Sequence, residues 1–245
     1  MRAFLAQVRA ELMLSFRQGE QMLVSLGIPL GVLLFFSRVE VVDVTEFDRP
    51  LDFLAPGVLA LAVMSSALVS LGIGTGFERY YGVLKRLGTT PLGRPRLVAA
   101  KVAMVLVIEV VQFAILVPTG LLLGFDPKPG WATVALATVL GTAAFAGLAL
   151  LMAGTLSGPL NLALCNALYL VLLATGGMMV PFEKLPGPVQ AVASALPAAA
   201  LADVMIGSLT RGQHVHGGSW VALAVWAVAL PALAAWRFRW DPDRR

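Results

Sequence analysis

An acid inside an apolar run is the first place to look for chemistry in this sequence, and Glu109 in VAMVLVIEVVQFAIL is such a residue. Ionisable groups are costly at that depth in lipid and mark function by default. Four readings stand for it: a proton site, a cation contact for substrate, a neutral acid hydrogen-bonded between helices, or a residue facing the cytosolic half through its neighbours. Asn161 and Asn166, in NLALCN, add amide donors and acceptors. Interhelical hydrogen bonding accounts for both; the functional alternative is a substrate path lined by Glu109, Asn161 and Asn166. His214 and His216 stand at i, i+2 in a glycine-bearing loop without further ligands nearby, so a solvated loop outweighs a metal site. GIGTG, Gly72 to Gly76, closes an apolar run instead of opening a helix after a strand, which suits close helix packing and not dinucleotide binding. Cys165, the sole cysteine, excludes an internal disulfide and reads as a small buried hydrophobe. No Ser/His/Asp or paired-carboxylate set falls at one depth, and G-x-x-x-x-G-K-[ST] occurs nowhere. The chain is therefore read as no enzyme, with no metal or cofactor of its own, and any nucleotide must be bound by another polypeptide.

The elements that would position these residues come from composition. Of 245 residues 58% are hydrophobic and 13% charged, about half the charge of a soluble domain. With a mean hydropathy of +0.84, the solvent this composition fits is a bilayer. The formal charge of +4 does not indicate nucleic acid, because the basic residues sit in short loops between apolar runs. Those runs fall at about 21–37 (with Pro29 inside), 53–76, 97–124, 131–155, 160–180 and 220–236. Lipid admits only helices or closed barrels, and these runs are too long for barrel strands. The expected fold is an all-α integral membrane protein with six transmembrane helices, an N-terminal amphipathic interface helix and short extracellular helices before the last span. The interface helix, 2–18, places Phe4, Val8, Leu12 and Phe16 along one stripe that Arg9 avoids. The segment 181–212 is apolar but broken by Pro181, Pro186 and Pro197, so two short helices divided at Pro197 and dipping into the outer leaflet are expected. Basic residues number 13 on the side of both termini and 5 on the other, which puts both termini in the cytoplasm.

The densest positive charge lies in GFERYYGVLKRLGTTPLGRPR, Gly76 to Arg96. Written as a helix over 77–88, Phe77, Tyr80, Tyr81, Leu84 and Leu87 share one face, and Glu78, Arg79, Lys85 and Arg86 take the other. Gly88 suits its end, Pro91 stops continuation, and Pro95 suits the first turn of the next helix. Topology alone explains the charge, yet it requires neither paired tyrosines nor a capped helix. An aromatic, basic knob joined to two spans is suited to receiving force from a soluble partner.

At these residues the chain resembles the ABC-2 type permease family, the membrane subunits of bacterial ABC exporters. The family's loop E-R-x-x-G-x-L-x-x-L-x-x-x-P stands here as Glu78-Arg79, Gly82, Leu84, Leu87 and Pro91. Its proline-broken segment before the last span stands as Pro181, Leu185-Pro186 and Leu196-Pro197. The resemblance implies that the 77–88 loop, with Phe77, Glu78, Arg79, Tyr80, Tyr81, Leu84, Lys85, Arg86, Leu87 and Pro91, is a coupling helix docking on an ATPase subunit. It implies ATP and Mg on that partner, and a second permease copy or homologous permease across a seam lined by the second and fifth spans. The setting it implies is a bacterial inner membrane. The arginine- and aromatic-rich N-terminal signature of polysaccharide exporters is missing from residues 1–21. The expected substrates are therefore small amphipathic compounds such as antibiotics, with lipid or glycan export as the alternative. An intramembrane enzyme would need polar residues converging at one depth, and only Glu109 and the asparagines offer themselves.

Overall fold

The computed structural model describes residues 2–17, 19–38, 47, 49–89 and 93–240, with the side chains of 2–3, 16–17 and 19–24 outside that description. Pro91, the side chain of Phe16 and most of the 38–52 loop therefore lie outside the described residues. Every regular element among the described residues is helical: α1 Arg2–Arg17, α2 Gly19–Phe36, α3 Pro50–Met64, a π-turn Ser65–Ser70, α4 Leu71–Tyr80, α5 Val83–Gly88 and α6 Arg94–Leu122. After these come α7 Trp131–Thr155, α8 Gly158–Thr175, a 3-10 turn Phe182–Lys184, α9 Gly187–Ala193, α10 Pro197–Leu209 and α11 Gly217–Arg237.

Proline and glycine set most of these limits. Pro50, Pro95 and Pro197 occupy first turns, where a missing N–H is harmless. α8 stops at Thr175, short of the expected 180, because Gly176 and Gly177 come next and Gly177 turns left-handed at φ 71°. Among the described residues, five helical stretches are long and apolar enough to cross a bilayer: α3 through α4, α6, α7, α8 and α11. The expected first span falls on α2, of which Ser25–Phe36 is apolar and described. α9 and α10 meet at 91°, broken just ahead of Pro197 as the proline spacing predicts. α10 is buried against α3, α7 and α11, so it dips into the bundle and does not lie on it.

The α3–π–α4 stretch, Pro50–Tyr80, is the axis of the bundle, 89% buried over its most apolar window. The second span is thus largely enclosed by its own chain. α8, with 22% of its window buried, turns Leu160, Leu164, Leu170 and Val171 outward. Small residues on α7 let α11 approach closely. A Cβ on Gly147 would fall against the backbone of Pro231, at 2.7 Å from Leu230 C, so that position tolerates only glycine at this spacing.

The loops gather at two ends. Arg94 Nη1 donates to Trp236 O at 3.4 Å and Arg239 N–H to Gly154 O at 3.2 Å, which ties together the starts and stops of α6, α7 and α11 at the end rich in basic residues. At the opposite end Lys128 N–H donates to Leu209 O at 2.8 Å and Arg49 Nη1 to Gly124 O at 3.1 Å.

Candidate functional site

The expected single helix over 77–88 is two pieces. α4 carries the axial helix on through Tyr80, Gly82 breaks it in the left-handed region at φ 75°, and α5 restarts at Val83. Helical periodicity runs on through Gly82, whereas its backbone does not; a β-carbon there would be strained. The break turns the tip into a knob. Tyr81 is 72% exposed and Tyr80 53%, and Lys85 and Arg86 are exposed beside them. Phe77 stacks on Tyr81 at 6.1 Å between centroids, and Tyr80 meets Tyr81 edge-on at 5.3 Å.

Leu84, expected on an open face, is fully buried. It packs with Leu97 of α6 and Phe238, with Leu87 and Trp240 against them. The apolar side of α5 is therefore covered by the chain's own α6 and the segment after α11. Gly88 lies under the Trp240 ring, and Phe238 meets that ring edge-on at 5.6 Å.

Glu78 and Arg79 also turn inward, where periodicity placed them on the solvated side. Arg79 is 3% exposed; its Nη1 donates to Leu156 O at 2.8 Å and Ala153 O at 3.4 Å, satisfying carbonyls that the end of α7 leaves open. Glu78 Oε2 lies 2.8 Å from Lys101 Nζ, and the same ammonium lies 3.0 Å from Glu11 Oε1 on α1. Gln7 Nε2 donates to Glu11 at 2.8 Å. Lys101 is 1% exposed, so its charge is stable only because both carboxylates reach it. Three ties thus hold the knob: Leu84 to α6 and the C-terminal segment, Arg79 to the α7–α8 turn, and Glu78 through Lys101 to α1.

Glu11, Lys101, Phe238 and Trp240 are not among the residues that sequence reasoning singles out. Glu11 is seven residues from Phe4 and three from Val8, on the apolar stripe of α1, and an acid there calls for a buried cation. Lys101 lies two turns inside a spanning helix, which asks for an acid in the same way.

On α1, Phe4, Val8 and Leu12 are half-buried and Arg9 is exposed, as the stripe predicts. Glu109 is 1% exposed and accepts from Thr142 Oγ1 of α7 at 2.6 Å, while its Oε1 has no partner. Asn161 is buried and donates to Gly72 O of α4 at 2.8 Å, an interhelical bond. Asn166 faces outward and donates to Leu162 O of its own helix at 2.9 Å. The three do not converge on one surface. Pro181 is buried ahead of the 3-10 turn, Pro186 caps α9 and is exposed, and Pro197 is buried as the first residue of α10. His216 pairs with Asp203 (Nδ1 to Oδ1, 2.6 Å), and that hydrogen bond and charge raise its pKa above the ordinary imidazole value. No group of three metal-ligating side chains occurs among the described residues.

A helical bundle with five or six candidate spans among its described residues, carrying an exposed aromatic and basic knob braced into them, is that of an all-α polytopic membrane protein. The model of the ABC-2 type transporter family matches residues 2–210, and the chain belongs to that family. It is the membrane component of an ABC transporter, and the family implies an ABC ATPase as partner. A search of curated proteins finds no match to this chain.

Proposed function

We propose that this chain is the permease of a bacterial inner-membrane exporter that moves small amphipathic compounds, antibiotics and other drugs among them, out of the cell. Two permeases, either two copies or a homologous pair, enclose the path. Two ABC ATPase subunits beneath them bind ATP and Mg. The 13-to-5 bias of basic residues supports an orientation with both termini in the cytoplasm.

The observation that carries this reading is the knob. Tyr80, Tyr81, Lys85 and Arg86 offer an aromatic centre with a basic rim, the composition of a protein-docking patch. The three ties beneath it convert a push on the tip into displacement of α1, α6 and the α7–α8 turn together. ATP-driven closure of the ATPase dimer favours one arrangement of these elements, and the permease responds through contacts that differ between its two states.

The test is co-purification with the ATPase and ATP-driven accumulation of an amphipathic dye in inverted vesicles. The expected outcome is a complex that forms through the knob and concentrates the dye only with ATP. A permease that never recovers an ATPase refutes the coupling reading. A complex that moves a lipid-linked glycan and no dye replaces the substrate class.

A further inference from the structure

A cavity of about 270 Å³ lies within the chain near its basic end, between α1, the π-turn, α4 and α6. Lys101, about 10 Å along α6 from its start at 1.5 Å per residue, stands at its floor. Two carboxylates, Glu11 and Glu78, meet there on one ammonium, so the cluster formally carries one negative charge in excess. Glu11 is fully engaged, by Lys101 through both oxygens and by Gln7. Among the described residues Glu78 is engaged only through Oε2, and its side chain, 28% exposed, lines the cavity.

Thr75 stands one turn before Glu78 on the same face of α4, also lining the cavity. It is 1% exposed and its Oγ1 has no partner among the described residues, a deficit that a donor placed in the cavity would remove. Ser15 of α1 lines the opposite side and gives its hydrogen to Met104 Sδ at 3.6 Å, leaving its lone pairs available. Glu78, Thr75 and Ser15, three oxygen-bearing side chains of which one is a carboxylate, thus line a space whose remaining walls include Leu71, Val105 and Ile108. The volume holds roughly nine water-sized groups at about 30 Å³ each.

We infer that this cavity binds the ammonium head of an amphipathic amine, with Glu78 Oε1, Thr75 Oγ1 and Ser15 Oγ taking its three N–H donors. The alkyl or aryl body lies on the apolar walls. An excess negative charge favours a cation, and a primary ammonium with an apolar tail meets both walls at once. Such a head can come from a free amine or from an aminolipid, and the chemistry is the same. Binding itself is independent of the export reading; only the fate of the bound amine, as a candidate cargo of the complex, rests on it.

The test uses the full chain in phosphatidylcholine nanodiscs, with protein-free nanodiscs as the blank, and calorimetric titration of octylammonium, octanol and octanoate. Octylammonium is expected to bind at least about tenfold more tightly than octanol, the size of a charge-assisted hydrogen bond, and octanoate not at all. Thr75→Val, which leaves the Lys101 cluster intact, should weaken octylammonium about threefold or more, and Glu78→Gln about tenfold. In nanodiscs containing phosphatidylethanolamine, loss of octylammonium binding identifies the aminolipid as occupant, and unchanged binding identifies a free amine. Equal binding of octanol and octylammonium, or full affinity in Thr75→Val, overturns the proposal and leaves an apolar gap filled by acyl chains. Tight binding without ATP-driven movement by the complex refutes the export of amines while leaving the site intact.

Discussion

Replacing Leu84 by alanine separates the knob's foundation from its contact surface. Leu84 is fully buried among Leu97, Leu87, Phe238 and Trp240, so removing its isobutyl group opens a cavity at the apolar anchor of α5. Buried Leu→Ala changes cost about 2–5 kcal/mol; the small, peripheral cluster here puts the expectation near 3 kcal/mol. α5 spans six residues, far below the length at which a helix stands alone, so this loss falls on the local docking of the knob. At about 1.4 kcal/mol per decade, the open form gains on the order of a hundredfold. Hydrogen exchange of the 83–88 amides reads this directly, and their protection should fall by that factor while α7 keeps its own. Tyr81→Ala is the counterpart: at 72% exposure it should change stability by less than about 0.5 kcal/mol, yet lose about 1–3 kcal/mol of ATPase binding if it is an interface anchor. Unchanged protection of 83–88 in Leu84→Ala, or loss of that protection in Tyr81→Ala, refutes the division between a buried foundation and a docking tip.

Lys101→Met leaves Glu11 buried without a cation and should lower stability by about 3–5 kcal/mol in detergent unfolding, with partial recovery on adding Glu11→Gln. Gly147→Ala should loosen the α7–α11 contact and depress the melting temperature, because its Cβ meets the Pro231 backbone. The His216–Asp203 link, with Glu183 nearby, is full below the ordinary imidazole pKa of about 6.5 and is lost as pH rises through the raised value of the folded state. Exchange of the 213–216 amides should therefore quicken toward alkaline pH in the native chain and show no such step in His216→Ala. Cysteines placed at His214 and Thr89, both exposed, test the orientation: an impermeant thiol reagent applied to intact cells should label the first and not the second.

Prolines, glycines and long apolar runs act locally, and the parts of the fold they determine are legible in the sequence. Pro127, Pro129 and Gly130 before the fourth run and Leu156-Ser157-Gly158-Pro159 after it leave no freedom, and α7 occupies Trp131–Thr155 as expected. Pro197 divides α9 from α10 for the same reason. The knob departs from expectation where the answer lies far along the chain. Periodicity places Leu84 and Leu87 on an apolar face but does not say whether a partner or the chain's own Phe238 and Trp240 covers it. Lys101 finds its two carboxylates 90 and 23 positions away, beyond the reach of any local pattern. Asn161, read as an interhelical bond, is one.

The same cluster bears on how a push would travel. Glu78 and Arg79 are neighbours in sequence, so helical geometry points them about 100° apart. One therefore reaches α6 and α1, and the other the α7–α8 turn. A rotation of α4 about its axis, like a translation along it, would therefore disturb both ties together. Gly82 decouples α5 from that rotation, since a left-handed residue does not transmit helical register. The six-residue break in register at the π-turn, Ser65–Ser70, does the same within the axis, where Ser66 bonds Gln112 at 3.0 Å and Gln112 bonds Ser25 O at 3.1 Å. α4 is thus a short lever bounded by Gly82 and the π-turn, with a charged tie on each side at one end. Any exchange of these partners would be a discrete step, because buried ions and carbonyls cannot be left half-paired.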